Sequence, residues 1–141
     1  YRGYTGHPFS TCFTCGPDRA EGDGLRVFTG PVEAGSSRVA GHWAAHEGLV
    51  EAAGNLPTEM VWAAIDCAGG WTADFTVHPT VLGRMTAEIR RIPELGEACT
   101  VTGVLDRQEG RKFLTSTALH AGDELLARSE QIWIEIDPSQ F

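Results

Sequence analysis

Lysine is almost missing from this chain. Of 11 basic residues only Lys112 is a lysine, and they face 19 acidic residues, for a formal net charge of −8. That balance excludes non-specific attraction to nucleic acid or to an anionic membrane surface. It does not exclude a small anionic ligand, which responds to a local patch and not to the total. No apolar run approaches the roughly 18 residues of a spanning helix, so no membrane segment is expected. Internal repeats, low-complexity tracts and linker-like stretches are also lacking, which excludes solenoid and multidomain arrangements. No basic n-region followed by an apolar h-region opens the sequence as given, and a reduced, cytoplasmic setting is the expectation for its cysteines. What is present is 141 residues, 42% of them hydrophobic. That suits one domain over 1–141, large enough to form a core without metal or disulfide staples. No cofactor is expected.

Four cysteines are present, at positions 12, 15, 67 and 99. Cys67 and Cys99 have apolar neighbours and read as ordinary core residues. The segment from His7 through Cys12-Phe-Thr-Cys15 to Gly16 is the sharper case. One Cys-x-x-Cys pair with a nearby histidine supplies three ligands of a tetrahedral zinc, whereas a closed structural site needs four. No second such pair exists, and Gly16-Pro17 is turn chemistry rather than the start of a redox-motif helix. The segment is therefore read as a structural turn tucking Phe9 and Phe13 onto the core, with no metal.

Residues 1–23 read as an N-terminal loop segment packed on the domain. Leu25 to Gly30 and Ser36 to Ala45 read as strands, and Gly48 to Asn55 as a connection that would also suit a short helix. Pro57 to about Ala73 is the one clear helix: Pro57 fits the first helical position and Glu59 the positive N-terminal end. Val61, Ala64, Ile65 and Ala68 form an i, i+3, i+4, i+7 stripe. Beyond His78-Pro79 come four long strand patterns, Val81 to Ile92, Ala98 to Arg107, Lys112 to Ala121 and Leu125 to Ile136. The turn-rich separators between them predict consecutive antiparallel hairpins. Met85, Ala87 and Ile89 alternate with polar residues, as do Ile132, Ile134 and Ile136. The order describes an α+β domain in which one antiparallel sheet covers a single helix.

A helix so covered is largely buried, which makes Asp66 the anomaly. It lies beside the apolar stripe, one turn from Trp62 and near Gly69 and Gly70. An ionised carboxylate there is costly unless paired or hydrated. Asp66 either meets a partner inside the fold or faces a cavity as a catalytic carboxylate that activates water or attacks directly. Glu59 is a second acidic candidate. The amides around Thr58, Glu59 and Met60 are candidate oxyanion donors. Gly69-Gly70 inside a helix costs stability and signals either close packing or a ligand.

Several segments together resemble uncharacterised bacterial members of the hot-dog fold, in the broad acyl-CoA thioesterase superfamily. They are Cys12-Phe-Thr-Cys15-Gly16 with Asp23-Gly24-Leu25-Arg26, then Val61 through Asp66 to Trp71. Val81-Leu82-Gly83-Arg84-Met85-Thr86, Gly110-Arg111-Lys112 and Ile132-Trp133-Ile134 complete the set. The resemblance implies a hot-dog fold, one long sheet wrapped around a central helix, and a homodimer or dimer of dimers with active sites between subunits. It implies hydrolysis of acyl-CoA or acyl-carrier-protein thioesters by an acid on that helix. Asp66 falls where that acid belongs in the phenylacetate-pathway type. That type usually carries His-Gly-Gly at the helix start, where this chain has Leu56-Pro57-Thr58-Glu59. Asn55 is a candidate to replace one polar contact there.

On this reading Trp62 and Trp71 wall an acyl pocket, Gly69 and Gly70 leave room for the acyl or pantetheine chain, and no metal is needed. Residues 1–80 carry four basic and nine acidic groups, and residues 81–141 carry seven and ten. The candidates for a CoA head group are accordingly Arg84, Arg90, Arg91, Arg107, Arg111 and Lys112, with Arg111-Lys112 at a hairpin able to reach phosphate oxygens. Two rival classes remain at this point. One is a hot-dog dehydratase or isomerase using His42, His46, His78 or His120. The other is a non-catalytic acyl-thioester-binding dimer.

Overall fold

The computed structural model of the protein describes residues 4, 6–51, 54–137 and 139. Six strands form one antiparallel sheet: β1 (Gly30–Pro31), β2 (Arg38–Trp43), β3 (Thr80–Ile89), β4 (Cys99–Glu109), β5 (Lys112–Ala121) and β6 (Glu124–Glu135). The strand order is β1-β2-β4-β5-β6-β3. The tight turns expected between β4, β5 and β6 are present. The expected β3–β4 hairpin is not: β3 pairs with the far side of β6, from Thr80↔Glu135 to Ile89↔Ala127. The link between β3 and β4 is long and is held by Arg91, which donates to Glu97 (2.9 Å, both oxygens) and to Glu124 (2.7 and 3.1 Å).

The helix lies on the inner face of this sheet, but it is not continuous. It runs as α1 (Thr58–Ala64) and α2 (Cys67–Trp71), interrupted at Ile65 and Asp66. The stripe read from periodicity is the core: Val61, Ala64, Ile65 and Ala68 are all buried, against Val39, Trp43, Val101, Phe113 and Leu119 of the sheet. Burial of these side chains contributes roughly 1.5–3 kcal/mol for each large aliphatic residue. No described helix is long and apolar enough to cross a membrane.

Leu25 to Gly30 is not a strand before Gly30. Arg26 has φ +56, which breaks an extended run, and the Leu25 and Val27 amides donate to Phe13 and Thr14 carbonyls instead. This segment docks the N-terminal loop. Phe9 and Phe13 stay 43% and 39% exposed: Phe9 lies edge-on against the core ring of Phe75, whereas Phe13 is covered by Arg19 and is not tucked onto the core as expected. Residues 47–49 form a short 3-10 turn, and Ala52 and Ala53 of that connection lie outside the described residues.

The face of β6 is also opposite to the one its isoleucines suggested. Ser129, Gln131 and Trp133 point inward and are buried, while Ile132 and Ile134 lie half-buried on the outer face.

Close approach of helix to sheet depends on Gly103 of β4. A Cβ there would stand 2.6 Å from the Ala68 carbonyl oxygen and 3.0 Å from Val39. The Ala68 backbone cannot retreat, because it belongs to the core helix packed under the sheet, and the Val39 contact is a side-chain methyl of the neighbouring strand. Gly103→Ala should therefore destabilise the fold by about 1–3 kcal/mol. Urea unfolding should show a lowered midpoint at unchanged slope.

Candidate functional site

The interruption at Ile65 positions the carboxylate. The Ile65 carbonyl leaves the helical ladder and accepts from Thr117 Oγ1 (2.7 Å) and Gln131 Nε2 (2.8 Å), both reaching inward from the sheet. Gln131 also donates to Ser129 Oγ (2.9 Å) and accepts from Trp133 Nε1 (2.6 Å), and Thr117 and Ser129 share a 2.6 Å bond. Asp66 follows directly and precedes α2, with φ −72 and ψ −75. Its Oδ1 is buried with no hydrogen-bond partner. Burial pushes its carboxyl up to about 6, and the negative charge of Cys12 adds to the effect. A buried carboxylate oxygen without a partner costs several kcal/mol and marks a group kept for chemistry or for a ligand.

The polar inner face of β5 and β6 was not recognised in the sequence. Its signal was there as Thr115-x-Thr117 and Ser129-x-Gln131, polar residues at a period of two. It explains Gly69: a Cβ at that position would collide with Gln131 Oε1, and one at Gly70 with the Phe75 ring. Both glycines serve close packing, and the room assigned to an acyl chain is filled by protein. Trp71 likewise does not wall a pocket. It is 1% exposed, stacked on Tyr4 with ring centroids 4.4 Å apart and edged by Phe75. Trp62, one helical turn before Asp66, is 39% exposed and remains a surface that a substrate can meet.

At the helix start Thr58, Glu59 and Asn55 are exposed and Met60 is half-buried. The Met60 amide is taken by the Pro57 carbonyl (3.0 Å), which removes it as an oxyanion donor and leaves those of Thr58 and Glu59. Asn55 edges a hollow of about 400 Å³ with Leu56, Ile92 and Leu95, and its carbonyl accepts from the Glu51 amide.

Among the cations, Arg90 is held by Glu88, Arg91 by Glu97 and Glu124, and Arg107 by Glu109. Arg84, Arg111 and Lys112 make no ion pair among the described residues. Lys112 shares a row with Ile134 and Val81, and Arg84 shares one with Ile132 and Leu114. These cations therefore gather at one end of the sheet on its outer face, whereas Asp66 lies inside. A cavity of about 610 Å³ is also on the outer side, lined by residues such as Thr102, Ser116, His120 and Glu130. It does not include Asp66. The histidines do not meet the carboxylate either. His46 bonds the Gly24 carbonyl and the Gly48 amide, His78 pairs with Glu135 at 2.8 Å, and His42 is exposed.

A second cluster adjoins Asp66. The Sγ atoms of Cys12, Cys15 and Cys67 all lie within 4.8 Å of one another, so Cys67, a core residue as expected, also has two cysteine neighbours. Cys12 and Cys67 are 3.7 Å apart, and His7 Nε2 is 3.2 Å from Cys15. Hydrogen bonds from Cys15 and Cys67, and from the amides of Cys15 and Thr14, draw the Cys12 thiol well below its usual range. Cys15 is pushed up to about 12 by its bond to Cys12, and Cys67 is raised for the same reason.

A scan of protein-family models finds none that matches this chain, and no curated protein matches it. Solved structures do. Zebrafish thioesterase superfamily member 2 aligns with TM-score 0.66 at 17% identity, over 78% of this chain and 81% of that one. The Escherichia coli PaaI protein from the phenylacetic acid degradation operon aligns with TM-score 0.65 at 11% identity, over 72% and 75%. A phenylacetic acid degradation-related protein from Ralstonia eutropha JMP134 gives 0.67 at 13%, over 78% and 85%. At these identities the likeness establishes the fold: a single antiparallel sheet around a central helix, the hot-dog fold.

Gln131 is the hub of the interior around Asp66. Gln131→Met keeps the volume but removes the amide from Ile65 and the acceptor from Trp133. We expect a loss of about 1–3 kcal/mol in denaturant unfolding. Combining it with Thr117→Val should be non-additive, because both side chains serve one carbonyl.

Proposed function

We propose that the chain is a thioester hydrolase acting on an acyl group carried by CoA or by a carrier protein, with Asp66 as the reacting carboxylate. The observation that carries this reading is the unpartnered, buried Oδ1 of Asp66 at the break in the central helix. A fold shared with proteins described as thioesterase superfamily members supports it by analogy. Acting as general base, Asp66 takes a proton from water as the water oxygen attacks the thioester carbonyl. The tetrahedral intermediate then collapses, the C–S bond breaks, and the sulfur leaves with a proton. Acting as nucleophile, the same oxygen displaces the thiolate to give a mixed anhydride, which water hydrolyses. Both routes yield a carboxylic acid and a free thiol and need no metal at the reacting carbonyl.

Oxyanion donors are harder to place. Thr58 lies eight residues before Asp66, about 12 Å along a helix at 1.5 Å per residue. A base and an oxyanion donor must both come within about 3 Å of one reacting centre. The first-turn amides and Asp66 of a single chain therefore do not serve the same carbonyl. They do so only if two copies contribute, which is the reason to read the working unit as a homodimer or a dimer of dimers. Trp62, exposed on the face that carries Asp66, would line the acyl side.

On a panel of acyl-CoA substrates, with released thiol as readout, Asp66→Asn and Asp66→Ala should lower kcat/KM by about 10²–10⁴-fold while circular dichroism stays unchanged. Undiminished turnover in folded variants would remove Asp66 from the mechanism. Tight binding of a CoA thioester by the wild type without turnover would turn the reading into a binding protein.

For the head group we propose Arg111 and Lys112, with Arg84 at the same end of the sheet. Arg111→Ala should raise KM for CoA substrates several-fold with kcat preserved. The difference should shrink as ionic strength rises, because exposed charge contacts are screened. No change in KM would retire this hairpin.

A further inference from the structure

We propose that Cys12, Cys15, Cys67 and His7 form a structural Zn²⁺ site that ties the N-terminal loop to the start of α2.

Three sulfurs from distant parts of the chain converge: two lie in the Cys-x-x-Cys turn and the third is more than 50 residues away on the central helix. A Zn–S bond of about 2.3 Å in tetrahedral geometry sets the S···S edge near 3.8 Å. The Cys12–Cys67 separation is 3.7 Å. That is the spacing of two ligands on one ion. All three are free thiols.

Gly16 completes the turn: its amide donates to the Cys12 carbonyl at 2.9 Å, and a Cβ there would sit 2.5 Å from the Cys12 amide nitrogen. Only glycine lets the chain fold back this closely over the pair.

The fourth donor is His7: its Nε2 stands 3.2 Å from the Cys15 sulfur and its ring packs edge-on against Trp71, but it lies outside the cluster formed by the three sulfurs and has to swing onto the ion on binding. Ligation through Nε2 leaves the ring proton on Nδ1. The 3.0 Å contact in which Nδ1 accepts from the Phe9 amide must then give way. A Cys₃His set is a closed structural zinc site with no open position for a substrate. On binding, the thiols release their protons and the ion replaces them, so affinity falls as pH is lowered.

The full chain, purified under reducing conditions from zinc-containing medium, should carry about one zinc per chain by elemental mass spectrometry. Apo-protein refolded with Co²⁺ should show the intense visible bands of tetrahedral thiolate coordination. Cys67→Ser should retain less than about a tenth of the metal. Because that buried substitution can also impair folding, His7→Ala provides the second arm. Its position is half-exposed, and it should stay folded while losing zinc to a chelator about tenfold faster than wild type. The assignment is overturned by a wild type that stays metal-free after refolding with excess zinc. It is also overturned by a disulfide, seen as two hydrogens missing in the intact mass under reductant. Equal retention in wild type and Cys67→Ser overturns the site, and loss in Asp66→Asn but not in His7→Ala overturns the ligand set. Hydrolase activity is not a readout here, so the two proposals fail separately.

Discussion

A backbone carbonyl buried without a donor is costly, and the centre of this fold contains one that its helix cannot serve. At Ile65 the ladder is interrupted, and the oxygen takes its hydrogen bonds from Thr117 and Gln131 across the interior. Much of the molecule follows from that. Thr117 and Gln131 must face inward, so β5 and β6 carry a polar inner stripe where an apolar one would otherwise be expected. Gln131 needs its remaining oxygen and proton satisfied, which recruits Trp133 and Ser129. The amide occupies the space above Gly69, so no side chain fits there. Asp66, next in sequence, is delivered at the break instead of being aligned within a regular turn.

This constraint also marks the limit of what was legible in the sequence. The stripe Val61, Ala64, Ile65, Ala68 was visible because burial and helical period agree, and the extents of β5 and β6 were visible because turn residues bracket them. The helix break left no local sign: Ile65 and Asp66 are ordinary helix residues, and the groups that interrupt the ladder sit 52 and 66 positions away. On β6 the same cause inverted the two faces. Isoleucine outweighs glutamine in any hydrophobic count, yet the buried glutamine has partners and the isoleucines lie over the outer face. The partner of β3 was misjudged because turn length decides only which strands can form a hairpin. It does not decide which sheet edge receives a strand after a long link.

The candidate site divides in a comparable way. Asp66 stood out as a charge on an apolar face, an inconsistency visible within four residues. The cysteine cluster did not, because Cys12-x-x-Cys15 looks incomplete until folding brings Cys67 to it. Every local rule for zinc counts ligands along the chain, and in the proposed set the one missing from the local segment comes from the core. Tyr4 stacked on Trp71, with its hydroxyl donating to the Trp71 carbonyl at 3.2 Å, anchors the same loop against the same helix. The loop thus has an aromatic contact at one end of α2 and a sulfur contact at the other.

That placement has a consequence for Asp66. The residue lies between a carbonyl fixed by the sheet and a cysteine fixed by the loop, so two independent elements set its backbone from either side. The reacting role proposed for Asp66 would need such restraint, since a positional error near 1 Å can cost about two orders of magnitude in rate. The α2 helix is only five residues long, too short to be rigid on its own account. Its rigidity comes from what grips its ends and from the close contact with β4 at Gly103. The cations proposed to hold a head group would work under no such demand. Phosphate contacts through exposed arginine and lysine side chains tolerate movement, and a CoA thioester is long and flexible. On the proposed function, the acid on the inner face and the charges on the outer face would therefore act on one substrate without being rigidly linked to each other.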